Sequence, residues 1–356
     1  MPKYGPKNIK KSPTVLFSIA FIVVVIIMFS ANQRYALVDE LQLPFNEGMR
    51  ALSNCENFLY AVSSEGKIFV WDWDELSKKP RTGSVTSEYA VLVGPDKVAS
   101  LRRSGRQAVV VTDVSGGIRL KEISIDSGNK SESYLCTNHN HNALAVVQRS
   151  LQNSKNAEVS YKFMIIDVDA GRVAKAMTVT EKTADSWLTN FAVSDDGRFI
   201  AGVGEQDGHA RIVLVDMEQK QTMWTKTLSQ TEAFGSATFS FDSKTIYSGG
   251  SDGAVYIIQA SDGKLLDQFR FKGKAKIPHE TISIRHMAIS PDSSLLAYVY
   301  GFNMYVFDCK TKKEIHSQRP GQKLPGPLAF SPDSNFIATS DLRQGGKIKI
   351  WPRPSE

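Results

Sequence analysis

The sequence is short of the features that mark most catalytic and disulfide-stapled proteins. Its 356 residues hold only three cysteines, Cys55, Cys136 and Cys309, with no CxxC spacing. The odd count leaves at least one thiol free, and the spacings suggest no paired framework. There is no P-loop, no G-x-G-x-x-G and no EF-hand spacing, so the commonest nucleotide and calcium sites are missing. Acidic residues are absent from positions 1–34, which carry Lys3, Lys7, Lys10, Lys11 and Arg34. The remainder therefore has 38 Lys and Arg against 37 Asp and Glu, a net of +1. A near-neutral body lacks the basic face of a nucleic-acid binder, and no nucleic-acid partner is expected.

Charge of either sign is missing from Pro13–Ala31, PTVLFSIAFIVVVIIMFSA, a run of 19 residues. A helix of that length spans about 28 Å, close to a bilayer's hydrocarbon core. A cleaved signal peptide would have a shorter apolar stretch, of about 7–15 residues. A cut after Ala31 would also put Phe29 where a small residue is wanted. The run is therefore expected to be an uncleaved transmembrane helix over 13–31, behind a basic cytoplasmic tail over 1–12. Four lysines precede the span and only Arg34 closely follows it, which places the rest of the chain outside the cytoplasm, in a periplasm or lumen.

Beyond the apolar run the chain is repetitive. FAVSDDGRFIAGVG from Phe191, ATFSFDSKTIYSGG from Ala237, MAISPDSSLLAYVY from Met287 and LAFSPDSNFIATSD from Leu328 share one plan. Each has an apolar strand, a Ser-x-Asp-(Gly/Ser) turn and a second apolar strand. Asp and Ser side chains bond the backbone two residues on, which favours the turn. A third strand comes next, ending in Asp72, Asp113, Asp167, Asp216, Gln259, Asp308 or Pro352, seven in all. After most of these come a turn and a fourth strand, as in RVAKAMTV and KLLDQFRF. No long amphipathic helix interrupts the pattern. Four short strands repeated every 40–50 residues predict an all-β, seven-bladed β-propeller over residues 35–356.

The last unit has three strands, GPLAF, NFIATS and KIKIW, and would leave an unpaired edge. Residues 35–43 have no blade of their own and are expected to supply its outer strand. With the strand beginning near Tyr35, the propeller would sit within about 14 Å of the span. The turns on that side carry Lys78, Lys79, Arg172, Lys220, Lys264, Lys310, Lys312 and Lys313. These read as solvated turn residues or as partners of anionic headgroups.

The chain resembles a divergent WD-repeat protein. The residues that carry the resemblance are Trp71-Asp72, the Ser-Pro-Asp turns at Ser290 and Ser331, the hairpin Gly249–Gly253, and Ile350-Trp351. It covers roughly residues 35–356. At the end of a third strand the full Trp-Asp pair occurs once, and no Gly-His pair precedes the first strands. The resemblance implies a rigid surface for protein partners.

Candidate chemistry is thin. Gly249–Gly253 matches G-x-S-x-G, but a strand and not a helix comes after it, so no nucleophile elbow is expected. Asn138-His139-Asn140-His141-Asn142 is the most metal-like cluster, because alternate residues of an extended segment share a face. It also aligns with the Ser-Pro-Asp-Ser turns, and a polar turn is the simpler reading. No catalytic residue, cofactor or resident metal is expected. Partner-binding candidates are Arg102, Arg103 and Arg106 in blade two, Asp207 and His209 in blade four, and Lys272, Lys274 and Lys276 between blades five and six. The longest hairpin insertion, Arg149–Glu158, lies among them in blade three. The expected function is a membrane-anchored, non-catalytic protein-interaction scaffold. The alternatives are a propeller enzyme or ligand sensor with a site in the central channel, and an accessory subunit of a membrane complex.

Overall fold

The computed structural model describes residues 37–43, 48–85, 90–102, 106–114, 118–125, 131–152, 158–181, 186–270, 283–320, 325–341 and 347–354. Apart from a three-residue 3-10 helix at Trp73–Glu75, every element in them is a strand. First comes β1 (Asp39–Gln42). Blade one is β2 (Met49–Cys55), β3 (Phe58–Ser63), β4 (Lys67–Asp72) and β5 (Arg81–Ser84). Blade two is β6 (Ala90–Leu92), β7 (Lys97–Arg102), β8 (Ala108–Asp113) and β9 (Arg119–Ser124). Blade three is β10 (Ser131–Thr137), β11 (Leu144–Gln152), β12 (Glu158–Asp167) and β13 (Arg172–Glu181). Blade four is β14 (Ser186–Val193), β15 (Phe199–Gln206), β16 (His209–Asp216) and β17 (Gln221–Leu228). Blade five is β18 (Phe234–Phe239), β19 (Thr245–Gly250), β20 (Ala254–Gln259) and β21 (Leu265–Arg270). Blade six is β22 (His286–Ile289), β23 (Leu295–Tyr300), β24 (Asn303–Asp308) and β25 (Lys313–Gln318). Blade seven is β26 (Pro325–Phe330), β27 (Phe336–Asp341) and β28 (Lys347–Pro352), with β1 as its outer strand.

Each blade is sandwiched between two neighbours, so its middle strands are buried on both faces. That is why they read as unbroken apolar runs, VVV in β8 or IVLV in β16, rather than as alternation. Outer strands alternate instead, as β21 does. A separate apolar core fills each of the seven junctions between blades.

The repeated turn has one mechanism in four blades. The Ser194, Ser240, Ser290 and Ser331 hydroxyls donate to Asp196, Asp242, Asp292 and Asp333 at 2.5–2.6 Å. Each Asp then accepts the backbone N–H two residues on. Each Ser oxygen also accepts the N–H five residues on. The Ser240 bond holds the Asp242 carboxyl below its ordinary range. The fourth position is left-handed: Gly197 at φ 69°, and Ser243, Ser293 and Ser334 at 57–63°. Two of those serines repay the conformation by accepting a bond from the preceding blade, Ser243 from Asp195 N and Ser334 from Asp292 N. The third-strand aspartates cap the turns after them: Asp72, Asp167, Asp216 and Asp308 each accept a backbone N–H two or three residues on.

Ring closure uses both chain ends. β1 pairs antiparallel with β28, Asp39 opposite Ile350 and Gln42 opposite Lys347, and Val38 N donates to Ile350 O at 2.8 Å. Leu41 and Leu43 enter the core between blades seven and one, with Met49, Phe69, Trp71 and Ile350. Among the described residues the ladder begins at Val38; Tyr35 and Ala36 of the expected closing segment lie outside them.

β1 begins at the face that carries the first-to-second and third-to-fourth strand turns. Arg353, just past β28, donates to Asp292 in one such turn, and Lys97 pairs with Asp169 across two others. This end is the entry face; the opposite end is the far face. The expected span over 13–31 and the tail over 1–12 lie outside the described residues. Among those described, no helix is long and apolar enough to cross a membrane.

Candidate interaction surface

On the far face, blades three and four meet around two buried guanidinium groups. Arg211, on β16, pairs with Glu181 at the end of β13, with side chains 6% and 9% exposed. It also donates to Ser186 Oγ at 3.0 Å and to Gln206. Ser186 Oγ donates back to Glu181 at 2.7 Å. Tyr161 Oη donates to Ser186 O at 3.1 Å and accepts Leu188 N at 2.8 Å. The network ties the end of β13 to the start of β14.

Arg149, on β11, is the second group. Its side chain is 3% exposed, yet its ion-pair partner Glu132 is 63% exposed. Among the described residues, its Nε and Nη2 have no hydrogen-bond partner. Its guanidinium lies 3.7 Å from the ring centroid of Trp187. Trp187 is 45% exposed, the one large apolar side chain of the far face left open among the described residues. A cation held against an indole face is favourable by about 0.5–2 kcal/mol. Gly204 sets the indole's place. A bulge in β14 at Leu188/Asn190 presses that strand onto β15, and a Cβ at 204 would fall 1.6 Å from Trp187 O.

Thr189 and Asn190, two and three residues beyond Trp187, help to line a cavity of about 490 Å³ with Phe234, Ser251, Ser283 and Arg285 among others. Phe234 gives this cavity an apolar wall and Arg285 a cationic one, and the open indole of Trp187 lies on the same face. Protein partners anchor in such places with aromatic and charged side chains.

The residues proposed from sequence fall around this region unevenly. Asp207 and His209 are exposed at the tip of the β15–β16 hairpin, whose turn has Asp207 at φ 53° and Gly208 at φ 75°. Arg102 is committed internally: it pairs with Glu122 at 2.6 Å and donates to Arg106 O at 3.1 Å. Arg106 is exposed. Arg103, Lys272, Lys274 and Lys276 lie outside the described residues, though Ser283 and Arg285, just beyond that lysine segment, line the cavity. The supposed insertion Arg149–Glu158 is partly ladder. Arg149 to Gln152 continue β11 and Glu158 opens β12, so Arg149 points into the blade junction. Trp187, Glu181, Arg211 and Arg285 were not singled out from sequence. A tryptophan in the polar segment DSWLTN was the available signal.

At the entry face the Asn138–Asn142 turn of blade three closes over the channel, at the edge of a cavity of about 630 Å³. Asn138 does the work of Ser and Asp together: its Oδ1 accepts Asn142 N and Ala143 N at 3.1 and 3.0 Å, and His141 takes the left-handed position at φ 54°. The turn removes the extended geometry on which a shared ion would depend, and the histidines part. His139 Nε2 bonds Thr238 Oγ1 of blade five at 3.1 Å and its ring stacks on Phe241 at 4.3 Å. His141 Nδ1 donates to Leu92 O of blade two at 2.9 Å, and its Nε2 then accepts from Ser53 Oγ of blade one at 3.2 Å. No group of three metal-ligating side chains occurs among the described residues.

Burial pushes the imidazoles of His139 and His286 down to about 4. The unfolded rings take a proton near the ordinary value of about 6.5, the folded rings only near 4. Their contribution to stability is therefore complete above about pH 6.5 and is lost as pH falls toward 4, by up to about 3 kcal/mol per ring. The thermal midpoint of the full chain should fall across that window. A His139→Gln, His286→Gln variant should show a flatter profile; an equally steep one would exclude these rings as the cause.

In blade seven, Trp351 Nε1 donates to Thr339 Oγ1 at 2.9 Å, tying the third strand to the second through buried side chains. No curated protein matches the chain. Residues 328–352, which hold that pair and most of blade seven, are similar to the WD domain, G-beta repeat, and the ring of seven four-stranded blades agrees with that likeness.

Proposed function

We propose that the chain is a protein-interaction scaffold tethered to a membrane by residues 13–31, with its propeller on the extracytoplasmic side and its far face toward a protein partner. The observation that carries the reading is Trp187, half open to solvent and held on a buried arginine. An aromatic side chain fixed in one place loses little entropy on binding, and such residues dominate interface energies. Asp207 and His209 supply polar contacts beside it. Agreement of blade seven with the WD repeat supports a scaffold role, since such propellers generally mediate protein contacts.

The test is a photo-cross-linking amino acid placed at Asp207 in the full chain, in native membranes, with and without Trp187→Ala. A discrete adduct is expected. Trp187→Ala should reduce it about 30-fold, the equivalent of about 2 kcal/mol. An adduct of undiminished yield would remove Trp187 as the anchor. A ligand sensor is the second reading, favoured by the cavity at the channel mouth, where His139 Nδ1 and Asp195 Oδ1 lie buried, 3.9 Å apart and unpartnered among the described residues. A small molecule retained by the purified full chain and released by His139→Gln would favour it.

A further inference from the structure

Six of the seven large apolar side chains exposed among the described residues sit at one end of the ring. They are Leu37, Val38, Ile118, Leu120, Met223 and Leu266. A lone exposed leucine needs no explanation, because much of any protein surface is apolar. Their shared position does need one. Leu37 and Val38 immediately precede β1, Ile118 immediately precedes β9 and Leu120 is its second residue, Met223 is the third residue of β17 and Leu266 the second of β21. All four strands are outer strands, and outer strands start at the entry face. Each side chain therefore lies within about 10 Å of the entry rim, on blades seven, two, four and five.

Charge is divided in the same way. Among the described residues, the exposed charged side chains at and beside the third-to-fourth strand turns of this rim include eight basic ones, from Lys78 in blade one to Lys313 in blade six, against Asp74, Glu75, Asp169, Glu218 and Asp262; the third-strand aspartates at these turns, Asp72, Asp113, Asp167, Asp216 and Asp308, are half-buried or buried. The first-to-second strand turns, nearer the axis, carry the aspartates of the Ser-x-Asp device. The rim is thus apolar and basic, and the centre is acidic. Apolar side chains at the acyl boundary with basic ones at the headgroups are the composition of a membrane-interface surface.

We infer that the entry rim docks on the lipid bilayer itself, the membrane in which residues 13–31 are proposed to be anchored. The inference rests on that anchored reading. The chain before Leu37, with its 19-residue apolar run, joins the propeller at this face. The five residues between Ala31 and Leu37, the first described residue, permit contact with the bilayer without forcing it, since that length of chain reaches up to about 20 Å. The apolar rim supplies what the tether does not, a preference for one orientation. Docking turns the far face, with Trp187, toward the aqueous side. Anionic lipid is not required, because acidic residues of the inner turns offset the rim's charge.

The full chain, reconstituted into phosphatidylcholine vesicles that contain a photoactivatable phosphatidylcholine, tests this. Lipid adducts should map to peptides holding Ile118–Leu120 and Leu266, on the order of tenfold above those holding Trp187 or Asp207, because the rim would sit within ~5–10 Å of the acyl boundary. An Ile118→Ser, Leu266→Ser variant should lose these adducts while remaining in the vesicles. A chain that resists alkaline carbonate extraction but shows no rim adducts, or more adducts on the far face, overturns the docking and leaves the anchor standing. A chain extracted by carbonate overturns the anchor and the docking together.

Discussion

Aspartate at Leu41 and Leu43 together should prevent the full chain from folding as a closed ring. Both leucines are almost fully buried, at 7% and 2%, in the core shared by blades seven and one. Leucine to alanine at such positions costs about 2–5 kcal/mol each. Aspartate adds the burial of two carboxylates without partners, several kcal/mol more. The sum is comparable with the whole stability of an ordinary domain, about 5–15 kcal/mol. The effect should be cooperative, because blade seven without β1 leaves β28 as an open edge and weakens the only junction formed by both chain ends. Urea unfolding of the detergent-solubilised chain should show lost or strongly shifted midpoints for the Asp variant. The Leu41→Ala, Leu43→Ala variant should fall between it and wild type. Glu40→Ala, which removes a partly exposed pair with Lys347 at 2.6 Å, should change stability by less than about 1 kcal/mol. Wild-type midpoints for the leucine variants would mean that β1 contributes nothing to closure.

Glu181→Ala should destabilise the junction of blades three and four by about 3–5 kcal/mol, because it leaves the Arg211 guanidinium buried without its carboxylate. The pair itself is worth far less than that figure. Replacing both members, as in Glu181→Leu with Arg211→Met, should recover most of the loss, since well-packed apolar residues often match a buried ion pair. A double-mutant cycle on the urea midpoint separates the two cases. Additive losses would show that the residues do not act as a unit. The cycle also bears on partner binding. Ser186 and Leu188 flank Trp187 and are held by this network, so the single variant should loosen the indole and weaken the cross-link at Asp207, and the double should restore part of it.

Most of the architecture was legible because it is written in local chemistry. The Ser-x-Asp turns, the left-handed fourth position and the capping aspartates act within five residues, so each blade repeats its signature. The closing strand was legible for a different reason: a three-stranded last unit and an orphan segment before the first one imply each other. Of the expected segment 35–43, pairing with β28 is seen from Val38 on, and Tyr35 and Ala36 lie outside the described residues. The candidate site was legible only in part. Asp207 and His209 could be read because a hairpin tip announces itself. Arg102 could not, because its exposure depends on Glu122 twenty residues away.

Strand cadence, blade number, turn chemistry and the apolar run at 13–31 were determined by the sequence itself, since each depends on residues adjacent in the chain. Tertiary structure alone decided which side chains meet where blades touch. It sent His139 to Thr238 and His141 to Ser53, partners 99 and 88 residues apart, and so separated two histidines that look like a pair. It buried Arg149 under Trp187 and gathered six scattered apolar residues at one rim. The physical reason is common to all three. A blade's strands are specified by its own turns, but its faces acquire meaning only from the neighbour that packs on them, and that neighbour lies about forty residues or more along the chain.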